Sequence, residues 1–360
     1  MHAPAGASSV HPVVRVTGNF TSESPLQPAA RAALLAAFDQ GWADPKKLSQ
    51  SSAKAAILRN QSLENIGARL GIRPDSVEIL GEPALGHYLG IAGLLNESSA
   101  LAYSAIDKGK IRAVVRAHRG STIELPVNHE GAIEGASALA PGTVLSLQLA
   151  NQETGIIQDY SDLSSKQIQI AVDATASGSR VPLPEQWDTA LFDATSWNGP
   201  AGLAILAINN SHSFSYPLPH IAPIKSPGTY SLPLLIAASV ALENFQNEDT
   251  RLRHYAIEKL TQLPGLEVIA PHATALPHVF SCVVTGIAGE YLVRELAQRG
   301  IDIDSGSACS PEDLQPSHVL AAMGYATEGH LRFTLHADAT ESDIDYLTQS
   351  ISEVITELRR

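Results

Sequence analysis

Features that mark several large classes of protein are scarce in this sequence. Only two cysteines occur among the 360 residues, Cys282 and Cys309, which is too few for a disulfide framework and makes reduced thiols the expectation. The thirteen histidines form no HxxxH or HExxH pattern, and neither cysteine belongs to a CxxC pair, so we expect no bound metal. The sequence therefore argues against a small disulfide-rich scaffold and the common zinc modules.

Basic segments and long apolar segments are also missing. The net charge is -13 and the lysines and arginines are scattered, so the surface should repel phosphate backbones and anionic lipids. The most apolar run, residues 232–242, ends at Glu243 and is too short to span a membrane. The N-terminus has no basic segment followed by an apolar one. We expect a cytoplasmic protein without nucleic-acid or membrane partners.

The sequence does contain an alternation of apolar runs with helical patterns. At 360 residues it is long enough for two closely associated domains. Several runs are continuously apolar, which is typical of parallel strands covered on both faces. We predict strands at residues 100–106, 113–117, 144–149, 168–172, 189–192 and 203–207. The alternation predicts an α/β fold with a large, doubly wound, mostly parallel sheet.

Helical patterns and the C-terminal third complete the predicted architecture. Apolar residues at helical spacing predict helices at residues 28–40 and 53–70, and one long helix from residue 232 to residue 263. Beyond it we predict a small C-terminal α+β domain, with strands near residue 268 and at 279–284 and 301–303, and helices at 290–299, 316–323 and 342–358. A further short strand is predicted at residues 13–16, after a loose N-terminal tail.

A short stretch around the second cysteine carries the clearest motif. Residues 304–310 read DSGSACS, where small residues around Cys309 favour a tight loop, and SHVL and AMG follow by residue 324. With LRFTL at 331–335 and TESD at 340–343, this stretch resembles the C-terminal signature of the cysteine desulfurases of the class V, fold-type I pyridoxal 5′-phosphate (PLP) superfamily. Such enzymes carry sulfur as a persulfide on the loop cysteine, so the resemblance implies that Cys309 is a sulfur carrier.

The resemblance extends in patches over nearly the whole chain and has wider implications. It implies a fold-type I PLP-transferase architecture, with a large domain over residues 16–235 and a small domain over residues 236–360 together with the N-terminal arm 1–15. It also implies a homodimer with the pocket at the interface, PLP as cofactor and an amino acid as substrate. A sulfur-acceptor or carrier protein is the implied partner.

The position of the family's cofactor lysine holds a residue without an amine. Residues 193–202 read DATSWNGPAG and resemble the family's Ser-x-His-Lys-x-x-Gly-Pro-Lys-Gly, which places Ser196 at the lysine position. A hydroxyl group cannot form an imine, so the usual covalent link to PLP is impossible there. We therefore expect no PLP unless another lysine replaces this function.

The expected phosphate site carries acidic groups. In the family it uses hydroxyls from the lysine segment, where Thr195 remains, and from a turn that reads LGEPAL at residues 80–85 here. The sequence KSPGT at residues 225–229 loosely resembles the phosphate contact from the partner subunit and gives Thr229 as a candidate. Carboxylates stand at Glu82 and Asp193, and one like-charge contact at about 4 Å is unfavourable by roughly 4 kcal/mol at an effective dielectric constant of about 20. Two such contacts should exclude a phosphate.

The groups expected around the cofactor ring are mixed. The sequence VDA at 172–174 resembles the family's Val-Asp-Ala, so Asp173 is the candidate partner of the ring nitrogen. The sequence NQETG at 151–155 resembles Asn-Asn-Glu-x-Gly and makes Asn151 a second candidate. Lys108 stands where the family has a histidine that stacks on the ring. Because a lysine cannot stack in that way, its only catalytic use would be as a replacement amine.

The substrate end keeps two candidates. Arg332 matches the arginine that binds the substrate carboxylate with two hydrogen bonds. Asn19 remains from a turn that faces the active site in the family. Structural interpretations stay open for all these residues: Asp173 could be a hydrogen-bond anchor, Arg332 a fold-stabilising ion pair, and Cys309 an inert thiol whose pKa is raised by acidic neighbours.

Three functions therefore compete. The protein could be cysteine desulfurase-like but without PLP chemistry, acting as a binding or scaffold protein. It could be a cofactor-independent sulfur carrier that uses Cys309. Alternatively, it could be a PLP-dependent cysteine desulfurase or lyase with Lys108 as its amine. The missing lysine and the acidic phosphate site favour the first over the third.

Overall fold

The computed structural model describes residues 18–40, 44–96, 98–163, 167–220, 230–305 and 316–360. Within these ranges the strands are β1 (Asn19–Phe20), β2 (Val77–Leu80), β3 (Leu101–Ser104), β4 (Thr122–Leu125), β5 (Val144–Gln148), β6 (Gln169–Asp173), β7 (Thr189–Asp193), β8 (Ala204–Ile208), β9 (Leu266–Val268), β10 (Val279–Val284), β11 (Asp302–Ile303) and β12 (His330–Thr334). The helices are α1 (Pro28–Asp39), α2 (Gln50–Leu70), α3 (Pro83–Ala92), α4 (Gly109–Ala117), α5 (Leu232–Glu243), α6 (Thr250–Thr261), α7 (Gly289–Gln298), α8 (His318–Met323) and α9 (Glu341–Leu358). The strand predicted at residues 13–16 and the candidates Cys309 and Thr229 lie outside the described residues.

A seven-stranded central sheet has the order β2-β8-β7-β6-β5-β3-β4. Strands β3 to β7 are mutually parallel, whereas β8 is antiparallel to both of its neighbours. Every residue of β5 and β8 is buried, as expected for strands covered on both faces. The predicted α/β fold with a mostly parallel sheet is confirmed. Because β2 runs in the same direction as β7, the carboxyl ends of all strands of this central sheet except β8 lie at the same edge.

A second hydrophobic cluster forms around smaller sheets. The antiparallel sheet β12-β10-β9 and the parallel pair β1-β11 contribute to it, together with helices α6, α7 and α9. Its buried residues run from Ala256 to Ile355 and include only one from the beginning of the chain, Phe20, which is 0% exposed. Strand β1 thus joins the first described residues to the C-terminal part of the fold.

Two secondary-structure predictions are wrong. The apolar run predicted as a strand at residues 113–117 belongs to helix α4, in which Ile111, Val114 and Val115 are buried at helical spacing. The long helix predicted from residue 232 to residue 263 is two helices, α5 and α6. The second begins where the Asp249 side chain accepts a hydrogen bond from the Arg251 N–H, which is an N-cap.

None of the helices in the described part of the chain is both long enough and apolar enough to cross a membrane.

Candidate functional site

Several predicted site residues lie at the same edge of the central sheet. Asp173 and Asp193 are the last residues of β6 and β7, and Glu82, Lys108 and Asn151 follow β2, β3 and β5 within a few residues. Ligands of open α/β sheets bind outside the carboxyl ends of the strands. We therefore call this edge the candidate site.

At the centre of the edge, Lys108 forms an ion pair with Asp173. Lys108 Nζ lies 3.1 Å from Asp173 Oδ2, and the two side chains are 18% and 3% exposed. Asp173 Oδ1 accepts hydrogen bonds from the Thr175 N–H (2.9 Å) and hydroxyl (2.6 Å), and Lys108 Nζ also donates to that hydroxyl oxygen. Within the described part of the chain, Asp173 Oδ2 accepts no hydrogen bond of standard geometry, so its contact with Lys108 is chiefly electrostatic. The buried carboxylate of Asp173 is thus paired with a cation of the same chain.

The charge state of Asp173 follows from these neighbours. Burial alone would raise its pKa, but the charge of Lys108, the nearby His87 and the hydrogen bonds from Thr175 outweigh burial and lower the pKa to about 2. Asp173 is therefore ionised at neutral pH. The fully buried Asp107, the residue before Lys108, has a pKa shifted in the opposite direction.

Burial raises the pKa of Asp107 to about 7, although hydrogen bonds from the Ser104 N–H and from Gln148 oppose the rise. Its two oxygens accept from Gln148 Nε2 at 2.8 Å and from the Ser104 N–H at 3.0 Å. The Asp107 carbonyl oxygen in addition lies 2.9 Å from His318 Nε2 at the start of α8. Hydrogen bonds to the side chain and to the carbonyl oxygen of Asp107 therefore hold the segment that carries Lys108 in place.

Asn151 is buried and forms hydrogen bonds inside the protein. Its Oδ1 accepts from the N–H groups of Glu153 (2.9 Å) and Thr154 (3.1 Å). Its Nδ2 donates to the Ile106 carbonyl (3.2 Å) and to Gln148 Oε1 (3.1 Å). These bonds shape the loop after β5, so the side chain has a structural task in the fold.

The segment at the lysine position is a short 3-10 helix, Ala194–Trp197, that follows β7. Asp193 caps it, because its Oδ1 accepts a hydrogen bond from the Thr195 N–H at 3.0 Å. The Ser196 hydroxyl donates to the Asp193 carbonyl at 2.7 Å, and the Ser196 carbonyl accepts from Arg180. A Cβ at Gly178 would lie 2.5 Å from Ser196 Oγ, so Ser196 packs tightly against the turn after β6.

The N-terminus of α3 is capped in the same way. Glu82 Oε1 accepts a hydrogen bond from the Ala84 N–H at 2.8 Å and lies 3.6 Å from Lys110 Nζ. Pro83 at the first position of α3 has no N–H to offer. A carboxylate of the chain therefore interacts with the helix end that would otherwise attract an anion.

Arg332 lies on β12 and forms an ion pair with Asp304. Arg332 Nη2 donates to Asp304 Oδ2, and the backbones of the two residues exchange hydrogen bonds at 2.8 and 3.2 Å. Asp304 Oδ2 also accepts from the Ser22 N–H at 2.7 Å. Arg332 is only 7% exposed, and its Nε has no hydrogen-bond partner among the described residues. Its charge is thus paired within the protein.

The remaining substrate-end candidate, Asn19, has a local structural role. Its Oδ1 accepts from the N–H (3.1 Å) and the hydroxyl (2.8 Å) of Thr21, which closes a turn directly after β1.

The structure brings some predicted residues together and adds others. Lys108 and Asp173 are in contact, and Asp193, Thr195 and Ser196 share one turn. Three residues that the sequence did not single out complete these contacts: Thr175, Asp304 as the partner of Arg332, and the buried Asp107. Their pairing depends on strand order, for which the sequence carries no signal. No group of three or more potential metal ligands occurs among the residues that could be searched.

Comparison with known proteins gives the context of this geometry. The family model described as "Aminotransferase class-V" matches residues 224–347. The cysteine desulfurase IscS of Dictyoglomus turgidum is 23% identical over 380 residues, which cover 95% of this chain and 94% of the relative. A cysteine desulfurase of Sinorhizobium fredii is 25% identical and covers 91% and 93%.

Solved structures agree on the architecture. A NifS-like protein superimposes with a TM-score of 0.84 at 20% identity and covers 95% of this chain and all of the other. The cysteine desulfurase CsdA of Escherichia coli has a TM-score of 0.76 at 17% identity and covers 95% of both chains. The fold is therefore that of the fold-type I PLP-dependent transferases. Within that fold the chain is similar to cysteine desulfurases over more than nine tenths of its length, and its residues 224–347 match the class V aminotransferase model.

Proposed function

We propose that this protein does not perform PLP chemistry and acts as a binding or scaffold protein derived from the cysteine desulfurases. The observation that carries the proposal is the ion pair between Lys108 and Asp173, at 3.1 Å. Asp173 is the residue that the family resemblance assigns to the ring nitrogen, and here it is ion-paired with a lysine of the same chain. A cofactor ring could pair with Asp173 only after Lys108 had left.

The residues at this edge do not fit PLP for two further reasons. Ser196 stands at the lysine position, and its hydroxyl donates to the Asp193 carbonyl. Glu82 caps the N-terminus of α3 and Asp193 caps the 3-10 helix after β7, so a phosphate at either position would meet a carboxylate instead of a free N–H donor. These features support a cofactor-free protein.

The proposal is tested by mixing the purified protein with PLP and with free cysteine. We expect no imine absorption band, no lysine labelled after borohydride reduction, and no sulfide released. A borohydride-stable adduct on Lys108 that the variant K108M lacks, together with sulfide release from cysteine, would instead establish a PLP-dependent cysteine desulfurase or lyase with an atypical lysine.

A second proposed function is sulfur transfer through Cys309, favoured by the SGSACS motif around it. In such a step the Cys309 thiolate attacks the outer sulfur of a donor persulfide. A new S–S bond forms on Cys309, the donor S–S bond breaks, and the donor leaves as a thiolate, so no external oxidant is needed. Mass spectrometry after incubation with a persulfide donor should show one added sulfur atom on Cys309, and an unmodified Cys309 would favour the scaffold function.

We also propose a homodimer and two domains, as the resemblance implies. Exposed apolar side chains on α1 and α2, including Phe38 at 55% and Ile57 at 58% exposure, support burial of this region against a second copy. The two large hydrophobic clusters support a division near α5 into a large domain and a small C-terminal domain. We further propose a cytoplasmic location and a sulfur-acceptor or carrier protein as the partner.

A further inference from the structure

We infer that the candidate site contains a binding position for one small organic monocation, formed by Asp173 and Thr175, which the chain occupies with its own Lys108 ammonium group. This inference rests on the proposed function, because it assumes that PLP does not take the position. It adds the chemical class of ligand that the position accepts.

The first argument is the geometry around the ammonium. Lys108 Nζ has two oxygen neighbours from the end of β6, Asp173 Oδ2 at 3.1 Å and the Thr175 hydroxyl oxygen. Asp173 Oδ1 is held by both the N–H and the hydroxyl of Thr175, so the carboxylate has one fixed orientation. A fixed carboxylate and a hydroxyl oxygen form a preorganised acceptor pair for a single N–H-bearing cation.

The second argument is the origin of the cation. Lys108 follows β3, whereas Asp173 ends β6, and β5 lies between these strands in the sheet. The lysine therefore crosses one strand to reach the carboxylate, and only its terminal ammonium is needed there. Its side chain is 18% exposed, so solvent reaches the position, and Asp173 itself is 4% exposed. The position is accessible to a small molecule once the lysine side chain is shortened.

The third argument is the sign of the surroundings. Along the same edge, Glu82 and Asp193 add two carboxylates, each bound to the N–H group that an anionic ligand would use. Lys110, 3.6 Å from Glu82, is 61% exposed and belongs to the solvated surface. The edge therefore favours a cation without a phosphate and disfavours a ligand that carries one.

Chemical rescue tests the inference directly. The variant K108A keeps Cβ, so n-propylammonium supplies the missing carbons and the charge. We expect K108A to have a lower melting temperature than the wild-type protein, and n-propylammonium to restore it in a saturable way. Propanol and propionate should have no such effect, because they lack the positive charge. The matched control K110A removes a neighbouring lysine and should show neither the loss nor the rescue.

The outcome against the inference is equally clear. If K108A melts like K110A and no ammonium ion binds, the position is not a cation site. Should K108A fail to fold, K108M keeps most of the side-chain volume and lacks only the ammonium group. Ammonium and methylammonium are then expected to bind K108M at least roughly tenfold more tightly than D173N/K108M. Equal binding by K108M and D173N/K108M would overturn the inference.

A second measurement addresses the sign of the surroundings. Pyridoxine 5′-phosphate has no aldehyde and forms no imine, so it reports binding alone. We expect the variant K108A/E82S/D193S to bind it roughly tenfold or more tightly than the wild-type protein, since each factor of ten needs about 1.4 kcal/mol. Equal affinities would overturn the inference even if the protein had no catalytic activity, whereas sulfide release by the wild-type protein would overturn only the proposed function.

Discussion

The Arg180 guanidinium group and the Glu248 carboxylate form a two-point ion pair between the turn after β6 and the segment before α6. Arg180 Nε lies 2.8 Å from Glu248 Oε2, Nη2 donates to the other oxygen, and the two side chains are only 4% and 9% exposed. Arg180 also donates to the Ser196 carbonyl and lies over the Phe245 ring, 4.6 Å from its centroid. This pair therefore connects the turn at the lysine position with the beginning of the C-terminal part.

Removing one member of this pair should be strongly destabilising. For R180M or E248Q we expect the free energy of unfolding to fall by about 3–5 kcal/mol, because one charge stays buried without its partner. Urea denaturation measures the change. The exposed pair Arg73–Asp75, with side chains 70% and 74% exposed, is the control, and R73A/D75A should leave the free energy of unfolding essentially unchanged. Similar losses for the two pairs would contradict the assigned role.

Gly155 should not tolerate a side chain. Its φ is 75°, and a Cβ there would lie 2.6 Å from the Val279 carbonyl oxygen. Gly142 has a similar φ of 81°, but a Cβ there would meet no atom of the described residues within 4 Å. G142A should therefore cost about 1 kcal/mol from backbone strain alone, and G155A roughly 3 kcal/mol or more because the clash adds to it. Equal losses in urea denaturation would show that the close contact is not rigid.

His330 should make the protein sensitive to acid. It is 2% exposed, and both ring nitrogens lack hydrogen-bond partners in the described structure. Burial, assisted by the charge of Arg332, lowers the pKa of His330 to about 4. The unfolded chain takes up this proton below about pH 6.5 and the folded one does not, so His330 makes stability fall as the pH drops from about 6.5 to about 4. In H330F, urea denaturation over this pH range should give a smaller slope of unfolding free energy against pH. The difference should correspond to the uptake of one proton.

Asp107 should have the opposite effect over a similar range. Its pKa of about 7 in the folded protein lies above the ordinary value of 3.8, so the folded state holds a proton that the unfolded state has lost. Its contribution to stability is therefore greatest below about pH 4 and declines as the pH rises to about 7. D107N should remove this decline and make stability rise more steeply with pH than in the wild-type protein. A pH profile of D107N identical to that of the wild-type protein would contradict the assigned pKa.

The proposed homodimer should depend on α1. Phe38 is 55% exposed on this helix, and a carboxylate there would be buried unpaired against a second copy. F38D should therefore sediment as a monomer with an unchanged circular dichroism spectrum. Tyr291 on α7 is exposed to a similar extent, 52%, and Y291D should stay dimeric. A wild-type monomer, or a dimeric F38D, would exclude α1 as the interface.

The regular elements were largely predictable because their patterns are local. Strand β10 lies at residues 279–284, as the sequence predicted. Each end of β5 to β8 lies at the predicted residue or one residue away from it. Helix α4 was mistaken for a strand because Val114 and Val115 favour extended backbone. The arginines at 112 and 116, four residues apart and the second of them exposed, are the helical signal that was overlooked.

The pairing of charges at the candidate site was harder to predict from the sequence. Position 108 could be located in the sequence, but the contact between its ammonium group and Asp173 depends on strand order and on the path of one loop. The same holds for Asp304, which the sequence did not single out and which binds Arg332. Such contacts join residues that are 65 and 28 positions apart (173 - 108 and 332 - 304), and no local periodicity reports them.

Strand β1 has a consequence for biosynthesis. Residue 20 leaves the ribosome long before residues 302 and 303, with which β1 pairs, and its aromatic ring belongs to a cluster that begins only at residue 256. Until almost the entire polypeptide has been made, that ring has no native environment and stays available to chaperones. A fragment expressed from residue 236 onward would lack it, would carry a void at that place, and is a poor choice for an isolated-domain study.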